Sequence, residues 1–148
     1  MKKIIVEEIK ALLDESDLIA ALANVSAHLN TKFENINWIG FYFVNDNELI
    51  LGPFQGNVAC THIKIGSGVC GDAVMLKKSL LVKDVHQYSG HIACDSQSNS
   101  ELVCPLIHND IVYGVLDIDS PVFDYFTQDD LELMELCAKE IAIRISKK

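Results

Sequence analysis

The sequence predicts an α+β domain: an antiparallel β-sheet with N- and C-terminal helices packed on one of its faces. Two observations predict this class. Apolar residues recur at helical spacing at both ends of the chain, whereas the middle alternates apolar and polar residues between turn-forming residues. Strands in consecutive hairpins, with helices before and after them, favour one sheet on which the helices form a second layer.

Residues 4–30 predict two helices. The apolar positions at helical spacing are Ile9, Leu12, Leu13, Leu18, Leu22, Val25 and Leu29. The polar run at residues 14–17 (DESD) interrupts them. We therefore expect a short helix, a turn capped near Ser16, and a second helix.

The next part of the chain predicts three strands. Residues 36–44 (INWIGFYFV) are aromatic and β-branched, and residues 48–54 follow a turn of Asn-Asp-Asn at 45–47. These two segments are expected to form a hairpin. Residues 61–65 alternate like a third strand.

The centre of the chain predicts a short helix and a long loop. The glycines of residues 66–68 break the third strand, residues 69–76 predict a helix, and residues 79–82 predict a short strand. Residues 84–100 are polar, with few aliphatic side chains, and predict an ordered loop. Loops gathered at one side of a sheet are where a small ligand commonly binds.

The last part predicts a long hairpin and a helix. Residues 101–107 and 111–120 are expected to be strands around a turn at 108–110. Thr127 is expected to begin the final helix, because acidic residues follow it and favour the positive end of the helix. The apolar face of that helix is Leu131, Met134, Leu136 or Cys137, Ile141 and Ile145.

Composition limits the classes of function. A chain of 148 residues suits one domain, which we expect to cover 1–148. Its 12 basic and 21 acidic residues give a net charge of −9 without a basic cluster, which argues against nucleic acid or an anionic membrane as partner. Acidic residues come too early for a signal peptide, and no apolar run approaches a membrane span. A cytoplasmic protein is expected.

The five cysteines divide into two groups. Cytoplasmic thiols are normally reduced, so a structural disulfide framework is disfavoured. Cys104 lies in an apolar strand and Cys137 on the apolar face of the last helix. Both are therefore expected in the core, where free cysteine is common.

The other three cysteines have polar surroundings. Cys70 follows Gly66-x-Gly68 in the first turn of a predicted helix, where backbone N–H groups would favour a thiolate. Cys94 lies in the polar loop, three residues after His91, and Cys60 lies between two strands. Three cysteines in such places favour redox chemistry. A zinc site formed by these three and His91 is an alternative, although no Cys-x-x-Cys pair supports it.

Acidic residues lie at the end of the last predicted hairpin. Asp117 and Asp119 are two residues apart on one strand and therefore share a face. Glu101 begins the partner strand, so the three carboxyl groups could gather and raise one another's pKa until one acts as an acid. The alternative is a strand end that turns into solvent.

Trp38 and Tyr42 lie at even spacing on the first strand and therefore face the same side. A buried aromatic core is one interpretation. A ligand wall is the other, because an indole face suits a methyl group or a cationic centre.

Taken together, several segments resemble the free methionine-R-sulfoxide reductases, which are GAF-domain enzymes. The resemblance covers the chain from about residue 15 onward. The matching segments are residues 37–42 (NWIGFY), 51–56 (LGPFQG), 68–71 (GVCG), 90–95 (GHIACD), 98–101 (SNSE) and 114–120 (GVLDIDS).

The resemblance implies a GAF fold and reduction of free methionine-R-sulfoxide, with thioredoxin as reductant and without a cofactor or a metal. It implies that Cys94 attacks the sulfoxide, that Cys60 resolves the product, and that Cys70 is a third redox cysteine. Either Cys60 or Cys70 could form the intramolecular disulfide with Cys94. The residues that match the family's ligand-binding groups are the carboxylates Glu101, Asp117 and Asp119 and the aromatic wall Trp38 and Tyr42.

Two other classes are compatible with the sequence. A GAF domain can be a non-enzymatic module that binds a small ligand, and a thiol-based redox sensor without a substrate would also use the cysteines. A homodimer through the terminal helices is a further possibility.

Overall fold

The computed structural model describes residues 1–92 and 94–147, which form four α-helices and six β-strands. In chain order these are α1 (Lys2–Leu12), α2 (Leu18–Asn30), β1 (Trp38–Asn45), β2 (Glu48–Gly56), β3 (His62–Lys64), α3 (Gly68–Leu76), β4 (Leu80–Val82), β5 (Ser100–His108), β6 (Ile111–Ser120) and α4 (Gln128–Ser146). A 3-10 helix, Val85–Gln87, lies in the loop between β4 and β5. Within the described ranges, no helix is long and apolar enough to cross a membrane.

The strands form one antiparallel sheet in the order β3-β2-β1-β6-β5-β4. Both predicted hairpins are present, and β1 and β6 join them at the centre of the sheet. Their turns contain Asp46, Asn109 and Asp110 in the left-handed region, a conformation that Asn and Asp tolerate better than most residues. The predicted α+β class with an antiparallel sheet is confirmed.

One face of the sheet is covered by α1, α2 and α4, as predicted for the terminal helices. The largest fully buried side chains of this helix-covered face are Ile9, Leu22, Leu29, Ile39, Phe41, Leu102, Leu106, Leu116, Ile118, Met134 and Ile141. These residues come from strands and helices alike, so they form the main hydrophobic core.

The opposite face carries α3 and a smaller apolar cluster. Because side chains alternate along a strand, β1 directs Ile39 and Phe41 to the helix-covered face and Trp38 and Tyr42 to this one. We call it the α3 face. It carries the candidate site.

The helix starts test the capping predictions. The cap expected near Ser16 is confirmed: the next residue, Asp17, caps α2 by accepting a hydrogen bond from Ala20 N at 2.9 Å. The Ser16 hydroxyl is already bonded to Glu15 Oε2 at 3.1 Å. The predicted start of α4 is confirmed, since Thr127 forms a reciprocal capping box with Asp130.

Candidate active site

Three carboxyl groups meet on the α3 face. Glu101 pairs directly with Asp119 across β5 and β6, and Asp117 lies two residues before Asp119, so all three share this face. Their exposed fractions are only 7% for Glu101, 4% for Asp117 and 9% for Asp119. The expected gathering is confirmed, and the alternative of a strand end turning into solvent is wrong.

Burial and mutual repulsion favour protons on this cluster. Burial raises the pKa of Glu101 well above its ordinary value, and the charges of Asp117 and Asp119 raise it further. Burial and then the charge of Asp117 raise the pKa of Asp119 in the same way. Burial also raises the pKa of Asp117, but hydrogen bonds from its neighbours oppose that rise. The cluster as a whole therefore favours bound protons, while the hydrogen bonds to Asp117 favour its ionised form.

One oxygen of the cluster lacks a partner. Asp117 Oδ1 is buried and has no hydrogen-bond partner among the described residues. A buried carboxylate oxygen without a partner is costly in free energy. A ligand with a cationic or hydrogen-bond-donating group would stabilise it.

Cys70 lies in the first turn of α3, as predicted, but the expected thiolate is wrong. Its side chain is buried, and its Sγ lies 3.9 Å from Glu101 Oε2. Burial, followed by the charges of Asp117 and Glu101, raises the pKa of the Cys70 thiol well above its ordinary value. These effects outweigh the N-terminal end of a nine-residue helix. Cys70 is therefore a neutral thiol beside the carboxyl groups.

Cys60 and Cys94 form a disulfide, with their Cα atoms 5.4 Å apart. Cys60 lies in the loop between β2 and β3, and Cys94 lies in the loop between β4 and β5. The expectation of reduced thiols throughout does not hold for this pair. The bond instead joins the attacking and resolving cysteines that the resemblance implies, and it leaves Cys70 free.

The disulfide also rules out the alternative zinc site in this form, because Cys60 and Cys94 cannot be thiolate ligands while bonded to each other. Among the described residues, one group could hold a cation: Cys70, Glu101 and Asp117 have ligand atoms within 4.8 Å of one another.

Trp38 and Tyr42 form an aromatic wall beside the carboxyl groups. Their ring centroids are 5.9 Å apart, and Trp38 also stacks on Phe54 at 5.2 Å. Gly40 lies between them on β1, and a Cβ there would overlap the Phe54 side chain. The Tyr42 hydroxyl donates to the Cys60 carbonyl at 2.8 Å, and the Trp38 indole donates to another carbonyl of that loop at 3.1 Å. The wall therefore also holds the Cys60 loop.

These groups line one cavity of about 50 Å³. The sheet contributes the aromatic wall and the three carboxyl groups, α3 contributes Cys70, and the loop before β5 contributes Cys94. Of the eight residues predicted for the site, the remaining one, Cys60, is bonded to Cys94. The structure thus brings the whole predicted set together.

The loop that carries Cys94 has polar contacts that the sequence reasoning missed. Asp95 and Ser98 line the cavity, and Asp95 Oδ1 accepts a hydrogen bond from Gln97 N at 2.9 Å. Their signal is a run of turn-forming residues directly after Cys94. Tyr88 anchors the same loop to α3 by donating to Asp72 Oδ2 at 2.5 Å.

Cys104 and Cys137 lie on the helix-covered face, where they are 1% and 0% exposed. Burial raises the pKa of each thiol to about 12. The prediction that both are core residues is confirmed.

An antiparallel sheet with terminal helices on one face, and a cavity with buried carboxyl groups and a disulfide on the other, defines a GAF-type domain whose cavity carries thiol chemistry. The family model described as the GAF domain matches residues 13–146. The chain is 52% identical over 116 residues to the free methionine-R-sulfoxide reductase of Escherichia coli (strain K12), covering 78% of this chain and 70% of that protein.

Solved structures agree with this match. The fRMsr of Staphylococcus aureus in its reduced form has a TM-score of 0.91 and 48% identity, covering 97% of this chain and 94% of that one. The free methionine-R-sulfoxide reductase from Neisseria meningitidis in complex with its substrate has a TM-score of 0.92 and 39% identity, covering 98% and 88%. The chain belongs to the free methionine-R-sulfoxide reductase family of GAF-domain proteins.

Proposed function

We propose that this protein reduces free methionine-R-sulfoxide to methionine, with Cys94 as the attacking thiol. The observation that carries the proposal is the Cys60–Cys94 disulfide at a cavity lined by three buried carboxyl groups. A thiol that removes oxygen from a sulfoxide needs an acid beside it and a second thiol within reach. Both requirements are met around Cys94.

The cavity offers distinct surfaces to the two ends of the substrate. The aromatic wall of Trp38 and Tyr42 suits the methyl group next to the sulfur. Asp117, whose hydrogen bonds favour its ionised form and which has an unpartnered oxygen, suits the ammonium group of a free amino acid. Methionine within a polypeptide lacks that ammonium group, so this contact would select the free amino acid.

The first chemical step uses the Cys94 thiol and a carboxylic acid together. The Cys94 thiolate attacks the sulfoxide sulfur while Glu101 or Asp119 donates a proton to the oxygen. A raised pKa suits these two residues for donation, because it favours the protonated carboxyl group. The hydroxyl group then transfers to the Cys94 sulfur as the substrate S–O bond and the new S–S bond break. Methionine leaves, and Cys94 becomes a sulfenic acid.

The second step releases the oxygen as water. The Cys60 thiol condenses with the Cys94 sulfenic acid, forming the disulfide. Cys70 is then assigned a different role: a neutral thiol that contacts Glu101 at the floor of the cavity. An external dithiol reduces the disulfide and restores both thiols. We propose thioredoxin for this step and, with it, a cytoplasmic location, because cytoplasmic thiols are kept reduced.

The proposal is tested by incubating the reduced protein with racemic methionine sulfoxide and excess dithiothreitol. We expect consumption of the R epimer alone and formation of one methionine for each sulfoxide consumed. Cys94→Ser should lower the rate by about 10³-fold or more, because the nucleophile is lost. Chiral chromatography of the amino acids measures both results.

Cys104→Ala is the matched control, because it removes a thiol from the helix-covered face and should keep the activity. Turnover retained by Cys94→Ser would contradict its role as nucleophile. Consumption of neither epimer by the parent protein would instead favour a ligand-binding or redox-sensing module.

A further inference from the structure

Asn37, which immediately precedes β1, holds the turn that follows Cys94. Its side-chain amide donates to Asp95 Oδ2 at 3.0 Å and to Ser98 Oγ at 3.0 Å. Asp95 is the residue directly after Cys94. One amide group therefore contacts both ends of a four-residue segment that begins beside the attacking cysteine.

The segment itself is a closed turn. Asp95 Oδ1 accepts a hydrogen bond from Gln97 N at 2.9 Å, and Ser98 N donates to the Asp95 carbonyl at 3.2 Å. Because Cys94 directly precedes this turn, contacts that attach the turn to the sheet also place Cys94. The Asn37 side chain makes such contacts, beside the backbone bond from Asn99 N to the Ser120 carbonyl at 2.8 Å.

The backbone of Asn37 is fixed to the strand that carries the acid. Asn37 N donates to the Asp119 carbonyl at 2.9 Å, and Trp38, the next residue, pairs with Asp119 across β1 and β6. Asn37 thus connects the Cys94 turn with the carboxyl cluster and the aromatic wall. This connection is made by hydrogen bonds and does not run through the disulfide.

We propose that Asn37 is a positioning residue that holds Cys94 over the carboxyl cluster in the reduced enzyme. The inference rests on the function proposed above. Its two hydrogen-bond acceptors, Asp95 and Ser98, line the cavity, whereas Asn37 is not among the described lining residues. Asn37 therefore acts through Asp95 and Ser98. Reactions between held groups depend steeply on their placement, so a loosened turn slows the chemistry more than it weakens substrate binding.

The test compares Asn37→Ala with Asn35→Ala, whose exposed side chain makes none of these contacts. The rate of methionine formation is measured in a single turnover of the reduced protein. Substrate affinity is measured in a Cys94→Ser background by the fluorescence of Trp38, the one tryptophan of the chain. We expect Asn37→Ala to slow the single turnover about 10-fold to 100-fold, because two hydrogen bonds are lost and one involves a carboxylate, while the affinity changes by less than about twofold.

A double variant separates positioning from general weakening of the structure. Ser98→Ala removes the acceptor of one of the two bonds and keeps the backbone bond that closes the turn, so combining it with Asn37→Ala should slow the reaction little beyond Asn37→Ala alone. Multiplication of the two effects would overturn the proposal. Loss of affinity with an unchanged single-turnover rate would overturn it as well.

A second readout needs no sulfoxide and keeps the inference testable if the proposed function fails. Hydrogen peroxide oxidises the reduced thiols to the Cys60–Cys94 disulfide, with two molecules of water formed. Mass spectrometry of alkylated samples follows the rate. We expect slower disulfide formation in Asn37→Ala than in Asn35→Ala. Equal rates would contradict a positioning role, whereas absence of sulfoxide turnover in the parent protein would contradict only the proposed function.

Discussion

The two faces of the sheet come from the same strands, but one face is an apolar core and the other carries the polar groups of the cavity. On β1, Phe41 faces the helices and is fully buried in an apolar core, whereas its neighbour Tyr42 faces the cavity and hydrogen-bonds to the Cys60 loop. On β6, Ile118 faces the helices between Asp117 and Asp119, which face the cavity. The alternation of a strand thus supplies a stabilising face and a reactive face from one segment.

The cysteines show what this difference does to one residue type. Cys104 and Cys137 are buried on the helix-covered face, and burial raises the pKa of each to about 12, which disfavours the reactive thiolate. Cys60 and Cys94 lie on loops at the α3 face and form the disulfide. Whether a cysteine of this protein is reactive therefore depends on the face of the sheet and on whether it lies in a loop. The α3 face also holds the carboxyl cluster, whose buried acidic groups would destabilise an apolar core.

The helix-covered face should dominate stability. Phe41→Ala removes a fully buried ring and should lower the free energy of unfolding by about 3–5 kcal/mol, the largest effect predicted here. Urea denaturation measures it. Phe43, which is half-buried and stacks on Phe41 at 6.4 Å, is the control, and Phe43→Ala should destabilise less. Equal losses would mean that burial on this face does not set the stability.

A polar group introduced on the helix-covered face should lower the free energy of unfolding. Cys137→Ser places a hydroxyl among apolar side chains and should lower the free energy of unfolding by about 1–3 kcal/mol. The sulfoxide reductase activity of the folded protein should be unchanged. Thermal unfolding followed by circular dichroism gives the stability, with Cys137→Ala as the variant that lacks the hydroxyl. A serine variant as stable as the alanine variant would contradict the comparison.

Much of the fold is predictable from the sequence because local signals agree with one another. The Asn-Asp-Asn turn, the Thr127 cap and the alternation of the last hairpin each specify a local structure, and the sheet is what these pieces can form together. The sequence places a cap near Ser16 but does not choose between Ser16 and Asp17, because both residue types are good caps; the structure has Asp17 as the cap.

The residues of the site are predictable, but the protonation state of Cys70 is not. Its position in the first turn of a helix predicts a thiolate, whereas the carboxyl groups that reverse this prediction arrive from β5 and β6, more than thirty residues away along the chain. The contacts of Asn37 with the Cys94 turn are missed for the same reason, since they join segments 58 and 61 residues apart. Long-range electrostatics and hydrogen bonds need the folded structure.

The smallest predicted change in the free energy of unfolding is a gain, whereas the first two are losses. Asp119→Asn removes a carboxyl group from a buried cluster in which burial and the charge of Asp117 raise its pKa. In the folded protein Asp119 holds its proton to a higher pH than in the unfolded chain. Wild-type stability is therefore greatest below the unfolded pKa and falls as pH rises through the folded pKa. The amide cannot lose a proton, so the variant should escape this fall.

We therefore expect Asp119→Asn to raise the free energy of unfolding by about 0.5–2 kcal/mol at neutral pH, with a gain that grows with pH and disappears near pH 4. Urea denaturation at several pH values measures it, and Asp14→Asn, at an exposed position in the turn between α1 and α2, is the control. The variant should also lose reductase activity, because one of the two proposed proton donors is removed. A variant that is less stable at every pH would show that the cluster stabilises the fold, and the contrast between the two faces would then be wrong.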